Sequence, residues 1–148
     1  MIGLLTGLVA FVLGSLIVLA VRSRRPPPLG LVEGRLCPCP PTPNCVCTET
    51  GHPPPLPLTG SVAVAWEGAR QTVRAMGGVV DREEAGYIHA TFTTRVFRFV
   101  DDLELRLDEP NRVIHIRAAA RVGQRDLGVN RRRVEELRRR YVAAARED

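Results

Sequence analysis

Residues 87–120 read YIHATFTTRVFRFVDDLELRLDEPNRVIHIRAAA. Over 87–94, Tyr87, His89, Thr91 and Thr93 alternate with Ile88, Ala90, Phe92 and Thr94. Within 99–107, Leu103, Leu105 and Leu107 fall on one side, and Asp102, Glu104 and Arg106 on the other. Side chains that swap faces at every step belong to a strand. Glu109-Pro110-Asn111 supplies a turn, and a strand over 112–119 places Val113, His115, Arg117 and Ala119 opposite Ile114, Ile116 and Ala118. Three strands joined by short connections predict an antiparallel meander.

Working outward, residues 78–81 read as a further short strand, with 83–86 as its turn. Before it, Val62, Trp66, Ala69, Val73 and Met76 recur at helical spacing. Ser61 is placed to cap that helix and Gly77-Gly78 to end it, which gives a helix over 61–76 with Trp66 in the core. Beyond the meander, Val134, Leu137, Tyr141 and Ala144 or Ala145 form the apolar stripe of a helix over 129–145. Six arginines (131–133 and 138–140) make that helix basic, and Asp126 is a candidate for its N-terminal cap. The expected fold is α+β: a four-stranded antiparallel sheet with both helices on one face.

Residues 2–21, IGLLTGLVAFVLGSLIVLAV, carry no charge. A helix of that length spans roughly 30 Å, the thickness of a bilayer's hydrocarbon core. There is no basic stretch before it and no clear cleavage site after it, so it reads as a retained single-pass anchor. The chain therefore divides into a transmembrane anchor over 1–21, a Pro-rich, cysteine-bearing arm over 22–58 and an α+β domain over 59–148. The net charge is +5, but Arg22, Arg24 and Arg25 adjoin the apolar run, where basic residues face anionic headgroups. Basicity here points to the membrane and not to nucleic acid.

The arm holds the chain's four cysteines, Cys37, Cys39, Cys45 and Cys47, in CPCPPTPNCVC. The spacing fits one antiparallel register, with Cys39 opposite Cys45 and Cys37 opposite Cys47. Two nested disulfides suit that register, the inner closing a small loop for about 2 kcal/mol. Free thiols and a four-thiolate metal site on Cys37, Cys39, Cys45 and Cys47 are the alternatives. An even cysteine count in a Pro-rich loop suits an oxidising compartment. Arg22, Arg24 and Arg25 after the span argue for the cytoplasmic side. The two arguments conflict, and the side of the membrane stays open.

Three segments resemble a known pattern: LGLVEGRLCPCPPTPNCVC, TTRVFRFVDDLELRLD and IRAAARVGQRDLGVNRRRVEELR. FRFVDD and RDLGVNRRRVE are its specific parts, and together the segments resemble the domain-of-unknown-function family numbered 1499. That resemblance implies an envelope-associated protein and no established activity, and it tilts the domain towards the extracytoplasmic face. The family pattern has cysteines at the positions of Cys39 and Cys45, so Cys37 and Cys47 are additions in this chain. Ala118 and Ala120 stand where the pattern has serines, and Gln124-Arg125 where it has Tyr-Ser.

The ligand-binding candidates are Arg95, Asp101, Asp102, Arg117, Arg121, Asp126, Asn130 and Arg131. Asp101 and Asp102, adjacent on a strand, point to opposite faces and cannot form a two-carboxylate site. One of them is expected to pair with Arg117 or Arg121, with Asp126 capping the last helix and Asn130 bracing its loop. The binding version of this set has Arg117, Arg121 and Arg131 gripping an anion. His89 and His115 could be neighbours on adjacent strands. No serine triad, phosphate loop or dinucleotide fingerprint is present and no cofactor is implied. The leading expectation is a non-enzymatic membrane-anchored envelope domain that binds a lipid, a small anion or a partner protein. The alternative is a hydrolase using Asp101 or Asp102 with a histidine and arginines. A cleft beside a histidine would favour the enzyme, and saturated ion pairs without one would remove it.

Overall fold

A computed structural model describes residues 2–146. An apolar helix, α1 (Ile2–Ser23), leads into a two-stranded ribbon of β1 (Leu31–Val32) and β2 (Arg35–Leu36). Then come β3 (Cys45–Cys47), a helical turn at Thr48–Thr50, β4 (Leu56–Pro57) and α2 (Val62–Ala75). The chain continues through β5 (Val79–Glu84), β6 (Tyr87–Thr93), β7 (Val100–Asp108) and β8 (Val113–Ala120) to α3 (Val129–Ala144).

The meander forms as its alternation predicts, with β5, β6, β7 and β8 side by side and antiparallel. Ser61 caps α2, its hydroxyl accepting from the Val64 amide at 3.3 Å. The hairpin between β5 and β6 is tighter than expected. Strand pairing runs to Glu84↔Tyr87, leaving Ala85 and Gly86 as the turn. Gly86 takes φ 72°, a left-handed conformation that glycine adopts without a Cβ clash.

The sheet has six strands, not four, and the two extra ones come from the Pro-rich arm. β3 and β4 lie end to end along the outer edge of β8, with Cys45↔Ala119 and Leu56↔Ile114 in register. Each is short because prolines remove backbone donors, and Pro57 is tolerated because it lies on an edge strand. Arm and domain thus share one sheet. The apolar core lies between it and the two helices: Ile88, Leu103, Leu105, Ile114 and Ile116 meet Ala69 and Val73 of α2 and Val134, Leu137 and Tyr141 of α3. Val46 and Leu56 of the arm belong to this core, and Trp66 packs at its margin.

The cysteine register does not form. β3 pairs with β8, and the stretch before Cys37 pairs back onto β1, so no hairpin joins the two C-x-C pairs. Cys39 and Cys45 are disulfide-bonded with Cα atoms 5.6 Å apart. Cys37 and Cys47 are free thiols, so the outer disulfide is corrected. The four-thiolate metal alternative loses two of its ligands to the inner bond. The physical reason is competition: the bare edge of β8 offers regular backbone partners, which a hairpin between prolines cannot match. Burial pushes the Cys47 thiol up, so it stays protonated and unreactive. A maleimide applied to the folded, non-reduced chain is expected to modify the half-buried Cys37 and spare the buried Cys47. Denaturation should expose Cys47, and added reductant the remaining pair, with peptide mapping as the readout.

Candidate functional site

The sheet's second face carries the other half of the strand alternation. From β7 it presents Asp102, Glu104, Arg106 and Asp108 in order, and this face is covered too. The arm crosses it, and Leu36, Cys47 and Tyr87 pack together there, with Cys39 alongside. Buried charge must be paired and hydrogen-bonded. Three clusters meet that demand.

At the centre, Glu104 is 0 % exposed. Its Oε1 accepts from the Gly30 amide at 2.9 Å and from the Tyr87 hydroxyl at 2.7 Å. Its Oε2 accepts from Arg117 Nη1 at 2.7 Å. Burial and the bond to Glu104 push the Tyr87 hydroxyl well up, so it remains a donor.

At one end, Glu49 of the helical turn receives Arg106 Nε at 2.7 Å and Arg35 Nε at 3.0 Å. Arg106 Nη2 also donates to Asp108 at 3.1 Å. His115 sits among them, 3.8 Å from Glu49 and 3.6 Å from Asp108. Burial lowers its proton affinity, and the nearby carboxylates offset that only in part.

At the other end, beside α1, Asp102 is enclosed by His89 and Arg121. His89 Nε2 lies 2.8 Å from Oδ1, and Arg121 donates from Nε at 3.0 Å and 2.9 Å and from Nη2 at 2.6 Å. Burial alone would raise the Asp102 carboxyl, but hydrogen bonds from His89 and Arg121 outweigh it and hold it below its ordinary range. An ionised carboxylate only accepts, so His89 Nε2 is the donor in this bond. His89 and Arg121 line a cleft of about 580 Å³, together with Arg24, Asp81, Arg82 and Thr91. Arg82 stacks over the Tyr87 ring at 5.6 Å and pairs with Glu84. The Arg24 side chain holds no partner among the described residues.

The candidate residues part company across the fold. Asp102 and Arg121 come together, whereas Asp101 faces the helices and pairs with Arg133 at 3.0 Å. Arg117 is committed to Glu104 and Arg95 lies in the exposed loop after β6. Asp126 accepts from the Gly128 and Asn130 amides at the start of α3, and Asn130 Nδ2 donates to the Asn44 carbonyl at 3.2 Å. Arg131 lines a separate cavity of about 660 Å³ beside the cysteines. The grip of Arg117, Arg121 and Arg131 on one anion is therefore not formed. His89 and His115 are not neighbours either, because β7 runs between their strands. The residues missed from sequence are Glu49, Tyr87, Glu104, Arg24 and Arg82. The charged alternation of β7 was a signal for them, but it reads as a solvated face unless the arm is known to lie over it.

The architecture is that of an α+β domain with an apolar core on one face of its sheet and a buried ionic layer on the other. The family model described as Protein of unknown function (DUF1499) matches residues 35–140, and the chain belongs to that family. Searches among curated proteins and among solved structures returned no match.

Removing the Glu104 carboxylate strands Arg117, Tyr87 and the Gly30 amide together. Glu104→Ala is expected to cost about 3–5 kcal/mol, as for other broken buried pairs. Glu104→Gln, which keeps an acceptor for Tyr87 and Gly30, should cost less. Urea unfolding of the full chain in detergent measures both.

The lowered affinity of His115 gives a pH dependence with a definite sign. Its folded value lies below its unfolded value of about 6.5, so the unfolded chain takes the proton first. The stability it contributes is complete above that value and is lost as pH falls from it towards the folded value. His115→Asn should flatten this part of the melting-temperature profile while leaving the steeper loss at lower pH, where the paired carboxylates protonate.

Proposed function

We propose that this chain is a single-pass membrane protein whose domain sits at the bilayer surface on the extracytoplasmic side. There it binds an anionic group, a lipid headgroup in the first instance, in the cleft beside His89 and Arg121. The observation that carries this reading is the way α1 ends. The helix is long and apolar enough to cross a membrane. Its last turn is part of the domain: Ser23 is 0 % exposed, and its hydroxyl accepts from the Val100 amide at 3.1 Å. Arg121 Nη1 donates to the Ser23 and Arg24 carbonyls at 3.2 Å and 3.3 Å. A segment removed by processing has no reason to be packed and hydrogen-bonded in this way, which supports a retained anchor.

The cleft opens at the foot of that helix; of its arginines Arg121 is paired with Asp102 and Arg82 with Glu84, which leaves Arg24 facing a single lining carboxylate, Asp81. Guanidinium groups suit phosphate oxygens, and an unpartnered Arg24 is free to turn to one. The Cys39–Cys45 disulfide supports the oxidising side of the membrane. A membrane partner and an anionic lipid are thus preferred to nucleic acid.

A hydrolase is the second reading, favoured by the His89–Asp102 pair on the wall of the cleft with Thr91 beside it. Asp102 itself is saturated and Asp101 lies on the opposite face, so only His89 could act on a substrate, with Asp102 orienting it. In the test, thermal unfolding of the full chain in neutral detergent is followed with phosphatidylglycerol, phosphatidylcholine or inorganic phosphate. Phosphatidylglycerol should raise Tm by several degrees, since a ligand at a hundredfold its Kd adds about 2.7 kcal/mol. Phosphatidylcholine should not, and Arg24→Ala should reduce the gain. Equal stabilisation by phosphate would make a free anion the ligand. No response to any of the three would overturn the reading, and ester or phosphoester turnover lost in His89→Ala would replace it with the hydrolase.

A further inference from the structure

Most of α1 is exposed, but Leu16 and Leu19 are half-buried and Ala20 and Ser23 are buried. These positions form one helical stripe, and at its lower end Ala20 and Ser23 pack against the domain. Leu16 stands seven residues before Ser23, roughly 10 Å along the axis. Burial of Ala20 brings the domain beside the apolar part of the helix, above the level of Arg22. The strand that meets α1 is β7, at Val100. The segment leading into it is the β6–β7 loop, residues 94–99.

This loop is closed at its base: the Thr94 amide donates to the Phe99 carbonyl at 2.8 Å, and the Phe99 amide to the Thr94 hydroxyl at 2.9 Å. At its tip, Val96 is 80 % exposed and Phe97 45 %. Arg95 and Arg98 flank them, hold no partner among the described residues, and the loop contains no acidic residue. A second loop, between β8 and α3, leaves the same end of the sheet, where Asp101 pairs with Ala120. It exposes Leu127 to 87 % beside Arg125. Isolated exposed apolar residues are ordinary on a soluble surface. Here two loops expose them at the one end of the sheet to which the apolar helix is attached, and each pairs them with arginine.

We infer that the β6–β7 loop is a membrane-inserting tip: Val96 and Phe97 enter the boundary between acyl chains and headgroups, while Arg95 and Arg98 meet lipid phosphates. The Leu127 loop makes a second point of contact. The apolar pair supplies burial, and the flanking guanidinium groups stay at headgroup level. With the helix, these contacts fix the tilt of the domain so that the cleft faces the membrane surface. The inference rests on the retained anchor, and its test separates the two.

Val96→Trp, Phe97→Trp and Val12→Trp variants of the full chain are reconstituted in mixed phosphatidylglycerol and phosphatidylcholine vesicles, with the signal of the single native Trp66 subtracted using the parent chain. Lipids brominated on the acyl chain quench from the membrane, and acrylamide from the water. Val12→Trp should be quenched by deep bromines. Val96→Trp and Phe97→Trp should be quenched severalfold more by shallow bromines than by deep ones, with acrylamide quenching reduced. Quenching of Val12→Trp with full acrylamide access at the two loop positions would place the loop in water and overturn the inference. Shielding of the loop from both quenchers would mean a second copy covers it, and would also overturn it. An unquenched Val12→Trp would remove the anchor and the insertion together.

Discussion

The structure turns on one fully buried carboxylate. Glu104 lies mid-strand on β7, with no exposed surface, in a position where an unpaired charge would cost several kcal/mol. Its partners come from three parts of the chain: Gly30 of the arm, Tyr87 of β6 and Arg117 of β8. The first is decisive, because a backbone amide of the arm reaches Glu104 only if the arm lies across the sheet. Covering the sheet then buries Asp102 and Arg106, which demand partners of their own and draw in Arg121 and Glu49. The satisfaction is not perfect, since Arg117 Nε is buried without a partner. That deficit is small beside the charges neutralised around it.

This dependence explains what could be read from sequence and what could not. Alternation and caps report local geometry, so α2, β6, β7, β8 and α3 were legible almost to their ends. Leu103, Leu105, Ile114 and Ile116 were legible as core for the same reason. Asp102, Glu104 and Arg106 were correctly placed on the other face, but their burial depends on contacts with residues more than fifty positions away, such as Gly30 and Glu49. No periodicity carries that information. Prolines pointed to an extended arm and hid the two short strands it adds to the main sheet, because Cys45–Cys47 and Leu56–Pro57 are too short to show alternation. The pairing of Asp102 with Arg121 was among the options read from residue types alone, whereas the contribution of His89 required the register of β6 against β7.

The cysteines show the same logic at smaller scale. Their symmetric spacing suggested a hairpin, but symmetry of spacing is not a source of energy. The free edge of β8 is, because every backbone group paired there would otherwise compete for water. Once β3 joins β8, Cys45 and Cys47 share one face of the sheet, with Cys47 opposite Arg117 and packed under Leu36. Cys47 then serves as a small apolar filler over the ionic layer, while Cys39–Cys45 tethers the loop that leads into β3.

The arrangement also connects the apolar helix to the candidate site. Arg121 divides its donors between the Asp102 carboxylate and the carbonyls that end α1. Asp102 in turn holds His89 at the cleft. A displacement of α1 relative to the sheet therefore cannot leave the cleft unchanged, since it must stretch bonds on the guanidinium that orients Asp102. Lysine, a single point donor, could not bridge both groups in this planar way, and this chain contains none. The foot of the apolar helix and the wall of the cleft are thus one hydrogen-bonded unit, which places the chemistry of the site within a few bonds of whatever holds the helix.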